Sequence, residues 1–314
     1  MYRREFLKNS GAALCGLPFL GLPWPGAQNL SGKSPALELH IFSKHLQFLN
    51  WEAAAEVASN LGFDGLDLTV RPGGHVAPEK VKEQLPLAVE AIQKGGSGCK
   101  LITTAVEKAT NEQDRAVLES AAGQGVTHYR CNWFSYSPDT PMKDSLAMYR
   151  EQIMGLAELN RQLGLVGCYQ NHAGHLIGAS LWEVARLLEG ADPQSFGVQY
   201  DIRHATVEGG LSWENGLRLV QDRIKTLVLK DFKWEKKEGE WQVVNTPIGE
   251  GMVDFTRYFK LLKQYGIFVP ASLHLEYPLG GAEHGATSLQ TAPENVFAAM
   301  EHDLNTVKEL WEKA

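Results

Sequence analysis

The sequence predicts an α/β protein that folds as a single (β/α)8 TIM barrel, in which parallel strands close into a ring and helices cover the outside. Short apolar or alternating runs occur eight times along the chain, and longer segments with helical spacing of apolar residues separate them. Strands that alternate with helices form parallel βαβ units, and about 250 residues is the usual length of this barrel. A doubly wound open sheet is the alternative, but no glycine-rich fingerprint follows the first run.

The predicted strands are short and apolar, whereas the predicted helices carry apolar residues three or four positions apart. The strands are residues 37–42, 63–70, 99–106, 126–134, 165–172, 196–204, 224–232 and 271–277. The helices are residues 51–61, 78–92, 148–163, 181–188, 255–265 and 293–311. The long connection 233–252 contains WEKKEGEWQVV, which predicts a hairpin that turns at Glu238 and Gly239. Long loops after strands lie over the mouth of such a barrel, so we expect this hairpin beside the site.

The first 27 residues have the pattern of a twin-arginine export signal. Arg3 and Arg4 precede the Phe-Leu-Lys segment 6–8, and a weakly apolar run follows over residues 11–22. That run is too short and too rich in Gly and Pro to span a membrane. We therefore expect a signal over residues 1–27, a linker over residues 28–36 and the barrel over residues 37–314. The mature protein is then expected in the periplasm or elsewhere outside the cytoplasm.

The charge of the chain argues against nucleic acid and anionic membranes as partners. The formal net charge is −7 and the pI is about 5.8, so there is no excess of basic residues to bind phosphates. Beyond the signal, Cys99, Cys131 and Cys168 lack CxxC spacing, which predicts buried thiols. No nucleotide cofactor is expected.

Polar side chains gather where the predicted strands end, and a (β/α)8 barrel places its chemistry at those ends. Residues two apart in a strand share a face. The pairs that meet this condition are Gln170 with His172, Asp201 with Arg203, and His274 with Glu276. Lys230 ends the seventh strand, and His204 follows the sixth. Because each of these groups is costly to bury without a partner, their convergence predicts one shared site.

These residues divide into groups that transfer protons and groups that bind a polar ligand. The predicted catalytic residues are Glu276, Lys230, His204 and His172. The predicted substrate-binding residues are Arg71, His75, Arg130, Trp133, Asn171, Arg203 and His274. Trp133 is suited to stacking on a sugar ring, and the alternative for Arg130 is an ion pair with a carboxylate inside the barrel.

Four segments, taken in barrel order, carry a resemblance to a known family. They are DIRHA at 201–205, KDF at 230–232, PIGEG at 247–251 and SLHLEY at 272–277. With these segments the chain resembles the xylose-isomerase-like barrel family of sugar isomerases and epimerases, and particularly its exported members. The resemblance implies a small-molecule sugar or sugar derivative as the ligand.

The resemblance also implies one divalent ion, commonly manganese, magnesium, cobalt or zinc. In the family a glutamate ends strand five, an aspartate ends strand six, a histidine lies on strand seven and a glutamate ends strand eight. Asp201 and Glu276 match two of these ligands, whereas Gln170 and Val228 stand at the other two positions. The predicted metal ligands are therefore Gln170, Asp201 and Glu276, with His204, or else His274, as the substitute.

Glutamine offers an oxygen to a hard cation but cannot exchange a proton near neutral pH, so a symmetric relay between two carboxylates is excluded. Three interpretations follow. The first is a metal-assisted isomerase or epimerase that moves a proton next to a carbonyl of a sugar or keto-sugar. The second is a metal-independent lyase or hydrolase acting on an oxidised sugar. The third is a barrel that binds carbohydrate without catalysis.

Overall fold

The computed structural model describes residues 35–314, within which eight parallel strands close into a barrel. These strands are β1 (Leu39–Phe42), β2 (Gly65–Val70), β3 (Leu101–Thr104), β4 (His128–Arg130), β5 (Val166–Gln170), β6 (Phe196–Asp201), β7 (Ile224–Leu229) and β10 (Ala271–Leu273). Each pairs with its neighbour in chain order, and β10 closes the ring between β7 and β1. The predicted single (β/α)8 barrel is confirmed.

Helices follow the strands and cover the outside of the barrel. They are α1 (Trp51–Leu61), α2 (Val81–Lys94), α3 (Glu112–Gly123), α4 (Met142–Leu163), α5 (Leu181–Leu187), α6 (Ile202–Gly209), α7 (Trp213–Val220), α8 (Phe255–Tyr265) and α9 (Pro293–Lys313). Capping explains why α1 has its predicted bounds, since Asn50 Oδ1 accepts a hydrogen bond from the Ala53 N–H and Gly62 ends the helix at φ 88°. The sequence pattern missed α3, α6 and α7.

The sixth strand ends earlier than predicted. Asp201 is the cap of α6, and its Oδ1 accepts a hydrogen bond of 3.0 Å from the His204 N–H. An aspartate that caps a helix turns the chain out of the extended conformation, so Arg203 lies in the first turn of α6. The prediction that Asp201 and Arg203 share one face of a strand is therefore wrong. His274 and Glu276 likewise lie in the loop after β10.

The predicted hairpin is confirmed. Strands β8 (Asp231–Lys237) and β9 (Glu240–Thr246) pair antiparallel, and the turn residues Glu238 and Gly239 have φ values of 52° and 90°. Positive φ at both positions is the type I′ geometry that two-residue hairpins favour.

Asp231 ties the base of this hairpin to the loop that follows it. Its carboxylate accepts hydrogen bonds of 2.8 to 3.1 Å from the N–H groups of Phe232, Gly249, Gly251 and Val253. A side chain on Gly251 would overlap with that carboxylate. Asp231 therefore has a structural role next to Lys230.

The predicted signal and most of the predicted linker lie outside the described residues. Across residues 35–314, none of the helices has the length and apolar character needed to cross a bilayer. Cys99, Cys131 and Cys168 are buried free thiols. Burial raises the pKa of Cys168 to about 12, which is consistent with the prediction of inert buried thiols.

Candidate active site

Lys230 lies at the centre of the polar cluster at the carboxyl ends of the strands. Its Nζ is 3.1 Å from Asp201 Oδ2, 3.2 Å from Glu276 Oε2 and 2.9 Å from His204 Nε2. Only 3% of the residue's surface is exposed. A buried lysine between two carboxylates is a cation whose position is set by its partners. The structure thus brings three of the four predicted catalytic residues into direct contact.

The two amides that end β5 hold Asp201 in place. Asn171 Nδ2 donates to the Asp201 carbonyl at 2.9 Å, and Asn171 Oδ1 accepts from the Asp201 N–H at 2.8 Å. Gln170 Nε2 donates to Asp201 Oδ2 at 2.9 Å. Both amides are therefore buried with partners, and the predicted ligand-binding residue Asn171 uses its amide within the protein.

Glu276 accepts hydrogen bonds from two lysines, Lys44 and Lys230. Its Oε1 accepts a hydrogen bond of 3.1 Å from Lys44 Nζ, and its Oε2 accepts one of 3.2 Å from Lys230 Nζ. Burial alone would raise the pKa of Glu276, but Lys230, His274 and Lys44 together lower it well below its usual range. Sequence reasoning missed Lys44, although it follows directly on β1, where a polar residue signals the mouth of the barrel.

His274 lies beside Glu276, on the side of β1. Its ring stacks on Phe42 with centroids 4.2 Å apart, and its Nδ1 is 3.9 Å from Glu276 Oε1. Its Nε2 is hydrogen-bonded to Ser272 Oγ at 3.1 Å, and Ser272 donates to Asp67 Oδ2 at 2.7 Å. Burial lowers the pKa of His274. Because the Ser272 hydroxyl hydrogen goes to Asp67, His274 Nε2 donates to Ser272 Oγ, and Nδ1 faces Glu276 without a hydrogen bond.

His172 and His204 form a stacked pair, with ring centroids 4.0 Å apart. His172 Nδ1 faces the Ala173 carbonyl at 2.9 Å, and because a carbonyl only accepts, this nitrogen carries the proton. Burial, and next the charge of Lys230, lower the pKa of both rings. The neutral His172 therefore presents Nε2 as a proton acceptor.

Arg203 joins His204 to the hairpin. Its Nη1 lies 2.9 Å from His204 Nδ1, and its Nη2 donates to Asn245 Oδ1 at 2.7 Å. Asn245 in turn donates to the carbonyl of Glu276 at 3.1 Å. Arginine and the Lys230 ammonium both only donate, and a neutral imidazole has a single acceptor nitrogen, so one of these two contacts of His204 is a hydrogen bond and the other is a close approach of two donors. Strand β9 is thus connected to both sides of Lys230.

The remaining predicted residues lie at two places around the mouth. Trp133 packs against His172 with centroids 4.7 Å apart, and Arg130 Cζ is 4.0 Å from the centre of the Trp133 ring. Arg71 Cζ is 5.5 Å from the centre of the Phe42 ring. His75 instead forms its hydrogen bonds with Ser43 and Thr69, and its contacts do not include the Lys230 cluster.

The predicted metal ligands do not fit a divalent ion in this arrangement. Lys230 Nζ stands between Asp201 and Glu276, the two carboxylates that such an ion would need. Gln170 directs its N–H group toward Asp201, and Val228 has no donor atom. In the part of the chain that the structure describes, no group of three or more His, Cys, Asp or Glu side chains is placed to hold a metal.

Fold and site together define a TIM-barrel protein whose ionisable groups meet at the carboxyl ends of its strands. A family model described as "Xylose isomerase-like TIM barrel" matches residues 55–292, and the chain belongs to this family. The resemblance noted in the sequence is therefore confirmed at the level of the family.

Two solved structures have the same fold as this chain. It superimposes on the D-psicose 3-epimerase of Clostridium cellulolyticum H10 with a TM-score of 0.66, at 12% identity over 88% of this chain and 99% of that one. The 3-keto-D-glucoside 4-epimerase of E. coli gives a TM-score of 0.64, at 12% identity over 86% and 99%. At such identities the likeness shows the fold alone.

One curated relative is the inosose dehydratase of Bacillus licheniformis. It is 30% identical to this chain over 127 residues, which are 37% of this chain and 42% of the relative. The chain therefore matches less than half the length of that relative.

Proposed function

We propose that this protein is an isomerase or epimerase that moves a proton at the carbon next to a carbonyl group of a sugar or keto-sugar. The observation that carries this proposal is the position of Lys230, which contacts Asp201, Glu276 and His204. Removal of such a proton leaves negative charge on the carbonyl oxygen, and a fixed cation stabilises that enolate. The epimerases among the structural neighbours support the same class of reaction.

Lys230 and Glu276 act together in this proposal. In the free protein Lys230 is one of the cations that lower the pKa of Glu276. When the substrate oxygen accepts a hydrogen bond from Lys230, the carboxylate loses part of that stabilisation. Glu276 therefore becomes a stronger base at the step in which the enolate forms.

His172 provides a second proton acceptor. Its Nε2 is unprotonated, and its ring contacts His204, which contacts Lys230 on the other side. Glu276 thus contacts the cation directly, and His172 is linked to it through His204. A single acceptor suffices for exchange between an aldose and a ketose, whereas epimerisation uses one acceptor on each face of the enolate.

We propose further that the reaction needs no divalent ion. The resemblance assigns the stabilising positive charge to a metal, but here Lys230 supplies a positive charge between the same two carboxylates. An ammonium donates hydrogen bonds to the developing oxyanion.

Loss of water from the sugar is the second candidate function. The curated relative is named a dehydratase, which favours this alternative. Dehydration begins with the same proton abstraction and continues with departure of a hydroxyl group from the neighbouring carbon, which His204 or Lys230 could protonate.

Incubation of candidate sugars and keto-sugars in deuterated water tests the proposal, with proton NMR as the measurement. We expect deuterium at a carbon next to the carbonyl, and its loss in Glu276→Gln and His172→Gln but not in Glu309→Gln, an exposed residue paired with Lys313. A product lacking one water would select the dehydratase. No label across a broad panel of sugars would favour a binding protein.

The residues that predict export lie outside the described part of the chain. We propose, on the Arg3-Arg4 pattern alone, that the protein is exported by the twin-arginine route and acts outside the cytoplasm. The substrate is then a sugar that is present outside the cytoplasm.

A further inference from the structure

Arg130 is a buried cation without a carboxylate partner. Its residue is 3% exposed, and its guanidinium makes one hydrogen bond, from Nη2 to the Thr104 carbonyl at 3.4 Å. Its Nη1 is buried without an acceptor, and the contacts of the guanidinium within residues 35–314 are with a carbonyl and an aromatic ring. The sequence-based alternative, an ion pair inside the barrel, is therefore wrong. A buried, unpaired guanidinium is costly unless an anion binds it.

Trp133 adds a second donor at the same place. The Arg130 guanidinium carbon lies 4.0 Å from the centre of the indole ring. The indole N–H of Trp133 is also buried without an acceptor among the described residues. Two adjacent buried donors without acceptors indicate a site for an oxyanion.

Arg71, which lies over the Phe42 ring, contributes another positive charge close enough to act on Arg130. Burial, and then the charge of Arg71, lower the pKa of Arg130 to about 10. Asp67 attracts both arginines, but its two oxygens accept hydrogen bonds from the Thr103 and Ser272 hydroxyls. Arg71 itself is half-buried, and its contact is with the Phe42 ring, with Asp67 and Glu276 acting on it only through their charge.

The mouth as a whole carries an excess of positive charge. Its cationic side chains are Lys44, Arg71, Arg130, Arg203 and Lys230, and the carboxylates that act on them are Asp201, Glu276 and Asp67, the last without an ion pair. Asp201 is paired with Lys230, and Glu276 is paired with both Lys44 and Lys230. The positive charge that remains without a partner is therefore that of the arginines.

We propose that Arg130, Trp133 and Arg71 bind the carboxylate of an acidic sugar, such as a uronic or aldonic acid. The inference rests on the proposed function for the role of Lys230, because it places the carboxylate at one side of the mouth and the reacting carbonyl at the other. From Trp133, the ring contacts through His172 and His204 lead directly to Lys230. The two ends of the proposed site are therefore joined by a continuous row of ring contacts.

The donors favour a carboxylate over a phosphate. A guanidinium fork matches the planar carboxylate, and an indole N–H adds a single further bond. Phosphate sites in proteins are commonly built from successive backbone N–H groups at a helix N-terminus or a glycine-rich loop. This site is made of side chains, and Arg130 is the last residue of β4.

Calorimetric binding of matched sugars tests the inference without requiring turnover. The probes are D-glucuronate, D-galacturonate and D-mannuronate, each compared with its neutral hexose and with the hexose 6-phosphate. A charged hydrogen bond contributes enough to change affinity by about ten- to hundred-fold. We expect at least one uronate to bind more tightly than its neutral parent by that factor, and more tightly than the phosphate.

Variants identify the residues responsible. Arg130→Gln and Arg71→Gln should remove that preference, and Arg161→Gln, which breaks an exposed ion pair with Glu158 on α4, should keep it. Arg71 is half-buried, so its variant remains informative if Arg130→Gln fails to fold. Equal binding of acid and neutral sugar, or a preference that survives both variants, overturns the inference, and tighter binding of the phosphate overturns the choice of carboxylate.

The two proposals fail separately. Arginine-dependent binding of a uronate without deuterium exchange would contradict the proposed function alone. Deuterium exchange that is equally fast on neutral and acidic sugars, with no dependence on Arg71, would contradict the carboxylate site alone.

Discussion

Lys230 and Glu276 are hydrogen-bonded across 46 positions of sequence, with Nζ and Oε2 3.2 Å apart. The residue that supplies positive charge therefore directly contacts the residue proposed to take the proton. Any change in one of them alters the charge that the other experiences. The predictions below test how far the site depends on this pair.

Replacement of Lys230 by Met should slow proton exchange strongly. The change leaves Asp201 and Glu276 buried without their shared cation, so we expect exchange to slow by about 10²- to 10⁴-fold and the free energy of unfolding to fall by about 3–5 kcal/mol. Lys230→Arg keeps the charge and should retain more stability. NMR exchange rates and urea unfolding provide the measurements, and wild-type exchange in Lys230→Met would refute the assignment.

Divalent metal should be absent from the purified protein and unnecessary for exchange. Lys230 already stands between the carboxylates, so manganese, magnesium, cobalt or zinc would have to displace an ammonium held by hydrogen bonds. The measurement is elemental analysis, followed by exchange assays with and without EDTA dialysis. Activity that is lost on dialysis and restored by one of these ions would show that the ligand set of the family is functional here.

Removal of Lys44 should raise the pKa of Glu276. Lys44 is one of the cations that lower this pKa, so Lys44→Met should move the acidic limb of the pH–rate profile to higher pH. The sign for stability follows. Because its pKa is lowered in the folded protein, Glu276 stabilises the fold above its ordinary pKa of 4.5, and this stability is lost as the pH falls through the folded-state pKa. The Lys44→Met variant should lose less stability on acidification, because its Glu276 pKa is lowered less.

A matched control for Lys44 is Lys100→Met, which breaks an exposed ion pair with Glu38 far from the mouth. Carbon-13 NMR titration of the glutamate carboxyl groups measures the change directly. An unchanged pKa of Glu276 in the Lys44→Met variant would show that Lys44 does not lower that pKa.

His45 should make the fold sensitive to mild acid. Its Nδ1–H donates to the Ala282 carbonyl and its Nε2 accepts from the Leu275 N–H, so the ring must stay neutral. Burial, and then the charges of Lys44 and His274, lower its pKa well below 6.5. The unfolded chain therefore binds a proton that the folded chain does not as the pH falls below 6.5.

The expected size of this effect is about 1.4 kcal/mol of unfolding free energy lost per pH unit for each such histidine. His45→Ala should reduce that slope between pH 6.5 and 5 by one histidine's contribution, and it should cost about 2–4 kcal/mol at neutral pH. Urea unfolding across this range is the measurement. An unchanged slope would mean that His45 is protonated in the folded state.

Export should depend on the arginine pair. Changing Arg3 and Arg4 together to Lys should leave a precursor of full length in the cytoplasm, because the twin-arginine route recognises that pair. Cell fractionation and N-terminal sequencing of the wild-type protein provide the measurement, with a mature N-terminus near Gln28 expected. Secretion that is unchanged in the double variant would refute the proposed route.

The strands could be predicted because parallel buried strands are short apolar runs, and all eight lie inside the predicted ranges. The ends were less certain, since Asp201 acts as a helix cap where the apolar run alone suggests a longer strand. Helix α3 was missed because only Val117, Leu118 and Ala121 of its residues are buried, which leaves a weak periodic pattern.

The composition of the site was partly predictable and its contacts were not. Lys230, His204 and Glu276 follow strands, which marks them for the mouth of the barrel. The partner of Glu276 at Lys44 is 232 positions away in the sequence, and no local pattern links two such residues. The unpartnered Nη1 of Arg130 could not be predicted either, because a sequence shows which residues are charged but not which of them form ion pairs.

The carboxylate of Asp231 anchors the start of β8 and the loop 249–253 independently of the hairpin tip. The tip, residues 235–242, can therefore be lengthened, shortened or exchanged while Lys230 keeps its place beneath it. The hairpin tip can thus vary in sequence and length while Lys230 stays in place. Mutation of the tip, in the laboratory or in evolution, could change which sugars enter without changing the reacting groups.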